Sequence, residues 1–91
     1  NQLLRDEVMS EGTVDQSAIY VREVAKRALE LSSSAVILVH NHPSGAAEPS
    51  RQDIHMTREV AAALDKLGIA LHDHIIIGGD SAYSFRSAGL L

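Results

Sequence analysis

The sequence contains no cysteine and no tryptophan, and aromatic residues make up only 3% of its 91 positions. Without cysteine, the chain can form neither a disulfide framework nor a thiolate metal site. The absence of cysteine fits a reducing compartment, and we expect a cytoplasmic location. With so few aromatic side chains, the hydrophobic core must consist of Leu, Ile, Val and Ala.

Basic residues and long apolar runs are also scarce. Eight Lys and Arg residues stand against twelve Asp and Glu residues, which gives a net charge of −4. Proteins that bind nucleic acids concentrate basic residues against the phosphates. No such cluster is present, so the composition disfavours nucleic-acid binding by this domain. The longest apolar run, residues 35–39, is too short to span a membrane.

The composition is otherwise that of a globular domain. Hydrophobic residues make up 45% of the chain and charged residues 22%, close to the average for globular proteins. The length suits one small domain. We therefore expect residues 1–91 to form a single domain, and, because the first residue is Asn1, we expect that domain to be a piece of a longer protein.

Hydrophobic periodicity predicts six elements in the order β-α-β-α-β-β. Strands are predicted over residues 3–10, 35–40, 69–77 and 82–86, with a turn at residues 78–80. Helices are predicted over residues 17–32, with Ser17 as the N-cap, and over residues 50–67, with Gly68 as the stop. This order predicts an α/β or α+β domain with a mixed sheet flanked by helices, in which the last two strands are antiparallel.

Apolar side chains at helical spacing predict which residues of each helix face the core. The second strand, residues 35–40, is apolar up to Val39 and is expected to be buried on both faces. In the first helix the predicted stripe is Val24, Ala25, Ala28, Leu29 and Leu31, and in the second it is Ile54, Val60, Ala61, Leu64 and Leu67.

The segment most informative about function joins the second predicted strand to the second helix. His40 and His42 lie two residues apart at the strand end and point to the same side. A loop with two prolines and Gly45, expected at positive φ, can return the chain so that Asp53 supplies a third ligand. Two imidazoles and one carboxylate leave a fourth tetrahedral position for water, the pattern of a catalytic zinc site, in which the pKa of that water falls to about 7.

The spacing of these residues resembles a known motif. His40, His42, Ser50 and Asp53 give His-x-His, seven residues, Ser, two residues, Asp, which is the JAB/JAMM (MPN-type) metalloprotease pattern at every named position. The strings HNHPSG at residues 40–45 and EPS at 48–50 are similar to the RadC-like branch of these domains. So are GT at 12–13, RE at 22–23 and DHII at 73–76. Val21 departs from the pattern, since relatives often have proline there, at the start of a helix and outside the metal motif.

The resemblance implies a cytidine-deaminase-like JAB/MPN fold, a zinc ion held by the two histidines and the aspartate, and hydrolysis of a peptide or isopeptide bond in a peptide or protein substrate. Ser50 would stabilise the tetrahedral intermediate. An upstream glutamate would act as general base, and Glu7 matches it best by its offset before residues 12–13, with Glu11 on the same strand face as the competitor. RadC-like proteins usually carry an N-terminal helical extension with a DNA-binding-like motif, so we expect this chain to be the C-terminal part of such a protein.

Each of these residues also has a structural interpretation. Without a metal, His40 and His42 can be a structural pair, one buried and hydrogen-bonded and the other exposed. Ser50 and Asp53 fit a variant of the capping box, Ser-x-x-Asp before an apolar run. The two upstream glutamates can be solvated charges on an edge strand.

We expect the three remaining histidines to have structural roles or to be exposed. His72 and His74 form a second His-x-His, but only Asp80 follows as a carboxylate, and we expect a hydrogen-bonded core or surface role for both. His55 lies two residues after Asp53 and so on a different helix face, where we expect it to be exposed.

Three functions compete at this point. The first is a zinc peptidase or isopeptidase. The second is a JAMM-type module that keeps its metal but serves protein interaction without catalysis. The third is a factor associated with DNA repair, which the net charge of −4 disfavours.

Overall fold

The computed structural model describes residues 2–6, 16–43 and 45–91. Six elements follow one another in the predicted order, and the prediction of an α/β fold with a mixed sheet is confirmed. The elements are β1 (Gln2–Asp6), α1 (Gln16–Glu30), β2 (Ala35–Asn41), α2 (Arg51–Lys66), β3 (Ala70–Gly78) and β4 (Ser81–Ser84). Within these described ranges, no helix has the length and apolar character needed to cross a membrane.

The sheet has the strand order β1-β2-β3-β4. The first three strands are parallel and β4 is antiparallel to β3. Parallel neighbours require crossover connections, and α1 and α2 provide the two that this order needs. As a result β2 lies inside the sheet, and the carboxyl ends of β1, β2 and β3 meet at one edge.

The core lies between the two helices and one face of the sheet. Val36 and Leu38 point from β2 towards both helices and are almost fully buried. Right-handed crossovers in the same direction place both helices on the same face. The cluster joins both helices to β2, β3 and the residue before β3: Tyr20, Val24, Ala28, Val36, Leu38, Val60, Leu64, Ile69 and Leu71.

Helix α1 departs from its prediction at both ends. It already includes Gln16, so Ser17 lies inside its first turn and the prediction that Ser17 is the N-cap is wrong. Leu29 and Leu31 are exposed, at 54% and 41%, and do not belong to the core face. The buried face instead begins one turn before Val24, at Tyr20, which is buried and was not predicted to be.

Helix α2 agrees closely with its predicted bounds. Ser50 is its N-cap and Leu67 its C-cap, and Gly68 follows with a φ of 76° that favours glycine. Leu67 is exposed and was wrongly placed in the core stripe. Thr57 is fully buried and was not predicted to be.

The strands are predicted to within two residues where the structure describes them. Residues 7–10 of the first predicted strand lie outside the described residues. Strand β4 ends at Ser84, two residues earlier than predicted, because Phe85 and Arg86 enter a turn. In β2 the expectation of burial on both faces is wrong, since Ile37 and Val39, opposite the helices, are only half-buried.

Candidate metal centre

The carboxyl end of β2 carries the two histidines of the motif. His40 belongs to the strand, and His42 lies just beyond it, where its backbone N–H donates to the carbonyl of Ile77 over 2.8 Å. This bond continues the pairing with β3, so the alternation of side chains persists past the strand end. The two rings consequently lie on one side, with centroids 4.8 Å apart and planes at 89°.

The loop after His42 fixes the orientation of its ring. Gly45 has a φ of 89°, as predicted, and its N–H donates to the carbonyl of His42 over 3.1 Å. This turn brings the carbonyl of Ala46 to 2.8 Å from Nδ1 of His42. Because a carbonyl can only accept, Nδ1 carries the proton and Nε2 is free to act as a ligand. Metal-binding histidines are usually held in this way by their second nitrogen.

The start of α2 holds the third group of the motif. The Ser50 hydroxyl oxygen accepts from the backbone N–H of Asp53 over 3.0 Å, and Asp53 Oδ2 accepts from the backbone N–H of Ser50 over 2.8 Å. The capping box considered from the sequence is therefore real. It does not compete with the site, because the same bonds hold the buried carboxylate of Asp53 towards His42.

The three predicted ligands come together at this edge of the sheet. Nε2 of His42 lies 3.2 Å from Oδ2 of Asp53, and the ligand atoms of His40, His42 and Asp53 are all within 4.8 Å of one another. Ligands of a tetrahedral zinc at about 2.0–2.2 Å are about 3.3–3.6 Å apart. The His42–Asp53 pair is already close to that spacing, and the whole group needs an inward adjustment of at most about 1.5 Å.

The chemistry of this group fits a divalent metal of borderline hardness. Two imidazole nitrogens and one carboxylate oxygen are the donors that such ions prefer. Asp53 is only 8% exposed, and both histidines are half-buried, so the donors are partly shielded from water. Among the residues that the structure describes, no other set of three such side chains has this geometry.

The predicted catalytic residues lie beside this group or outside the described residues. Ser50 is exposed, next to the ligand carboxylate. Glu7 and Glu11 both lie outside the described residues. Asp6, which precedes Glu7 in the sequence, is paired with His40 in the register of β1 and β2.

Two polar residues next to the site were not predicted to belong to it. His74 on β3 and Thr57 on α2 are 2% and 0% exposed, and Nδ1 of His74 lies 2.7 Å from the Thr57 hydroxyl. Thr57 lies four residues after Asp53, on the same helix face, and that spacing was the signal in the sequence. His72 and His55 are exposed, as expected.

Asp73 fastens β4 and the segment after it to β3. Its carboxylate accepts from the Ser84 hydroxyl over 2.6 Å and from the backbone N–H groups of His74, over 2.7 Å, and Arg86, over 3.0 Å. Partial burial raises the pKa of Asp73, but these hydrogen bonds and the charge of Arg86 outweigh it, so that the pKa lies below the ordinary 3.8. The carboxylate is thus ionised and holds Phe85 in place behind His74.

Comparison with known proteins agrees with this arrangement. Residues 1–90 match the family model of the RadC-like JAB domain. The chain is 56% identical over all of its 91 residues to a UPF0758 protein of Ruegeria pomeroyi and 55% identical to a UPF0758 protein of Rhodobacter capsulatus. It spans 41% and 42% of the length of these relatives. The chain belongs to the family of RadC-like JAB domains.

Proposed function

We propose that this chain is a zinc-dependent hydrolase of the JAMM type that cleaves a peptide or isopeptide bond. The observation that carries the proposal is the convergence of His40, His42 and Asp53 within 4.8 Å at the carboxyl end of an interior strand. Membership of the JAB domain family supports it. Ligands in sheets of this kind commonly bind outside the carboxyl ends of the strands.

His40 and His42 would hold zinc through ring nitrogens and Asp53 through a carboxylate oxygen. When bound, zinc supplies Lewis-acid chemistry, since it polarises a carbonyl group and lowers the pKa of water. The chain contributes the orientation of these donors. The carbonyl of Ala46 sets the ring of His42, and the N–H of Ser50 sets the carboxylate of Asp53.

Ser50 is suited to a second task in the same reaction. Its hydroxyl oxygen accepts one hydrogen bond, from the N–H of Asp53, which leaves the hydroxyl proton to donate elsewhere. The residue is exposed and lies next to the carboxylate of Asp53. We propose that it donates to the substrate oxygen on which negative charge develops, a contribution worth roughly 10²–10³ in kcat where one such donor is removed.

The proton of the attacking water requires a base, and Glu7 is our proposal for it. The preceding residue, Asp6, is paired with His40, so the carboxyl end of β1 lies at the same sheet edge as the two histidines. A positioned carboxylate that takes this proton and passes it to the leaving amine contributes roughly 10²–10⁴-fold to the rate. Glu11 remains the alternative, and the two can be separated by matched substitutions.

The experiment measures zinc per chain and turnover on peptide and isopeptide libraries. We expect one zinc in the wild type, its loss in His42→Ala, and its retention in His55→Ala, a matched change at an exposed histidine of α2. We expect Glu7→Gln to keep zinc and lose about 10²–10⁴ in turnover, whereas Glu11→Gln keeps both.

Other results would change the proposal in defined ways. If the wild type binds one zinc but hydrolyses nothing across broad libraries, the hydrolase proposal is wrong and the chain is a metal-holding interaction module. If Glu11→Gln rather than Glu7→Gln removes turnover, the base is Glu11. If no zinc binds at micromolar free metal, the metal site is wrong as well.

A further inference from the structure

A buried polar pair lies directly behind the metal centre, where an ordinary core would be apolar. Thr57 is 0% exposed and His74 is 2% exposed. Burying such groups costs free energy unless they are hydrogen-bonded. The Thr57 hydroxyl oxygen is 2.7 Å from the carbonyl of Asp53 and 2.7 Å from Nδ1 of His74, so it bridges a ligand residue on α2 to a strand of the sheet.

The direction of these two bonds follows from counting protons. A hydroxyl has one proton, and Thr57 donates it to the carbonyl of Asp53, one helical turn back. The bond to His74 therefore requires the ring to donate from Nδ1 to the hydroxyl oxygen. The result is a continuous chain of hydrogen bonds from β3 through Thr57 to the turn of α2 that carries Asp53.

His74 also lies next to β2, the strand that carries the candidate ligand His40. His74 pairs in register with Leu38 on β2, two residues before His40, so the two histidines are diagonal neighbours on one face of the sheet. Their ring centroids are 5.9 Å apart. Phe85 stacks on His74 at 4.7 Å with planes at 11°, and Asp73 fastens Ser84, the residue before Phe85, to β3.

We propose that Thr57 and His74 are positioning residues of the metal centre: their hydrogen bond sets the distance between the first turns of α2, which carry Asp53, and the sheet, which carries His40. The inference rests on the proposed metal site. Neither residue is a ligand, because the converging donors among the described residues are His40, His42 and Asp53. The pair acts by keeping the carboxylate within reach of the two rings before a metal arrives.

The test uses Co²⁺ and Zn²⁺ affinity and the visible absorption of bound Co²⁺ in the full chain. The absorption reports ligand geometry, which a change in stability alone does not alter. Thr57→Val removes the hydroxyl at constant shape, and Thr57→Ser keeps it. Val60→Thr is the matched control, since it makes the reverse exchange at a buried position one turn further along α2.

We expect Thr57→Val to weaken metal binding by about 10–100-fold, as loss of a residue that orients a ligand commonly does, and to alter the Co²⁺ spectrum. Thr57→Ser should restore both, and Val60→Thr should lower thermal stability without changing either. A wild-type affinity and spectrum in Thr57→Val would overturn the inference. An equal loss in Val60→Thr would also overturn it, because the effect would then be general destabilisation.

A second pair of variants tests the same bond from its other partner and decides the matter if Thr57→Val does not fold. His74→Asn keeps a donor close to the position of Nδ1, whereas His74→Leu removes it. We expect the metal affinity of His74→Leu to be lower than that of His74→Asn, and equal affinities would contradict the inference. If the wild type binds metal but hydrolyses nothing, the hydrolase proposal alone is wrong. If it binds no metal, both are wrong.

Discussion

Gly78 packs against the loop between β2 and α2, although it is far in the sequence from the three candidate ligands. A Cβ atom at this position would lie 2.6 Å from the carbonyl carbon of Ala46 and 2.7 Å from its oxygen and from the amide nitrogen of Ala47. Carbon atoms pack at about 3.5–4.0 Å. In Gly78→Ala the loop must therefore retreat by about 1 Å, because the atoms in the way are backbone.

That retreat has a defined effect on the site. The carbonyl of Ala46 accepts from Nδ1 of His42 over 2.8 Å, and about 1 Å more would take it beyond hydrogen-bonding distance. Overpacking of this kind costs about 1–3 kcal/mol. If the loop moves away to avoid this overpacking, metal binding must bring it back and so must supply the same free energy. At about 1.4 kcal/mol per tenfold, the metal affinity is then lowered by roughly 5–150-fold.

The assay is competition for Zn²⁺ against a chelating dye, together with thermal unfolding of the metal-free chain. Gly68→Ala is the control, since it places a side chain at a φ of 76° with no neighbour within 4 Å, at the opposite end of α2. It should lower the unfolding temperature and leave zinc affinity unchanged. Wild-type zinc affinity in Gly78→Ala would refute the reasoning.

Three further predictions follow from contacts in and around the site. Asp53→Asn should keep the folded stability, because its side-chain oxygen can still accept from the N–H of Ser50, but should lose metal binding with the charge; Asp53→Ala should lose both, with about 0.5–1.5 kcal/mol from the missing hydrogen bond to that N–H. Because the pKa of Asp73 is lowered in the fold, its contribution to the free energy of unfolding should be present above about pH 4 and be lost as the pH falls further, which urea unfolding of wild type and Asp73→Asn at several pH values will measure. Removing metal with a chelator should lower the unfolding temperature of the zinc-loaded chain, since a ligand at about 100 times its Kd stabilises by about 2.7 kcal/mol.

Each of these has a result that would contradict it. Retention of zinc by Asp53→Asn would show that the carboxylate is not a ligand. A wild-type stability that falls no faster than that of Asp73→Asn between about pH 4 and pH 2 would show that the hydrogen bonds of Asp73 do not favour its ionised form. An unfolding temperature indifferent to chelator would mean that the bound metal does not stabilise the folded chain.

The order of the six elements could be predicted because each has a clear period and a clear stop. Residues 35–39 are apolar, and three of them (Val36, Ile37 and Val39) are β-branched, while Gly68 directly follows the C-cap of α2. The prediction of which helix residues face the core was less accurate. Leu29 and Leu31 continue the spacing of the α1 stripe, but both are exposed, because periodicity within a helix cannot tell where its partner surface ends.

In the candidate site, too, the parts that depend on local sequence could be predicted and the parts that depend on packing could not. His40, His42 and Asp53 converge because a strand end, a short loop and a helix start fix their positions, and each of these is local in sequence. Thr57 and His74 are 17 residues apart, and their contact depends on how α2 lies on β3. No local pattern specifies that packing, so Thr57 was not predicted to be buried, and His74 was expected only to have a hydrogen-bonded core or surface role.

The placement of His40 on an interior strand has a consequence for local opening. Its backbone is paired with Asp6 on one side and Ile76 on the other, so releasing it requires two strand pairs to separate, whereas His42 sits in a loop and Asp53 in a first helical turn. Elements of this kind open with very different free energies. Amide hydrogen exchange should therefore be slow around His40 and faster around the other two, and fluctuations that dismantle the centre should begin at the loop and the helix start while the strand end stays in place.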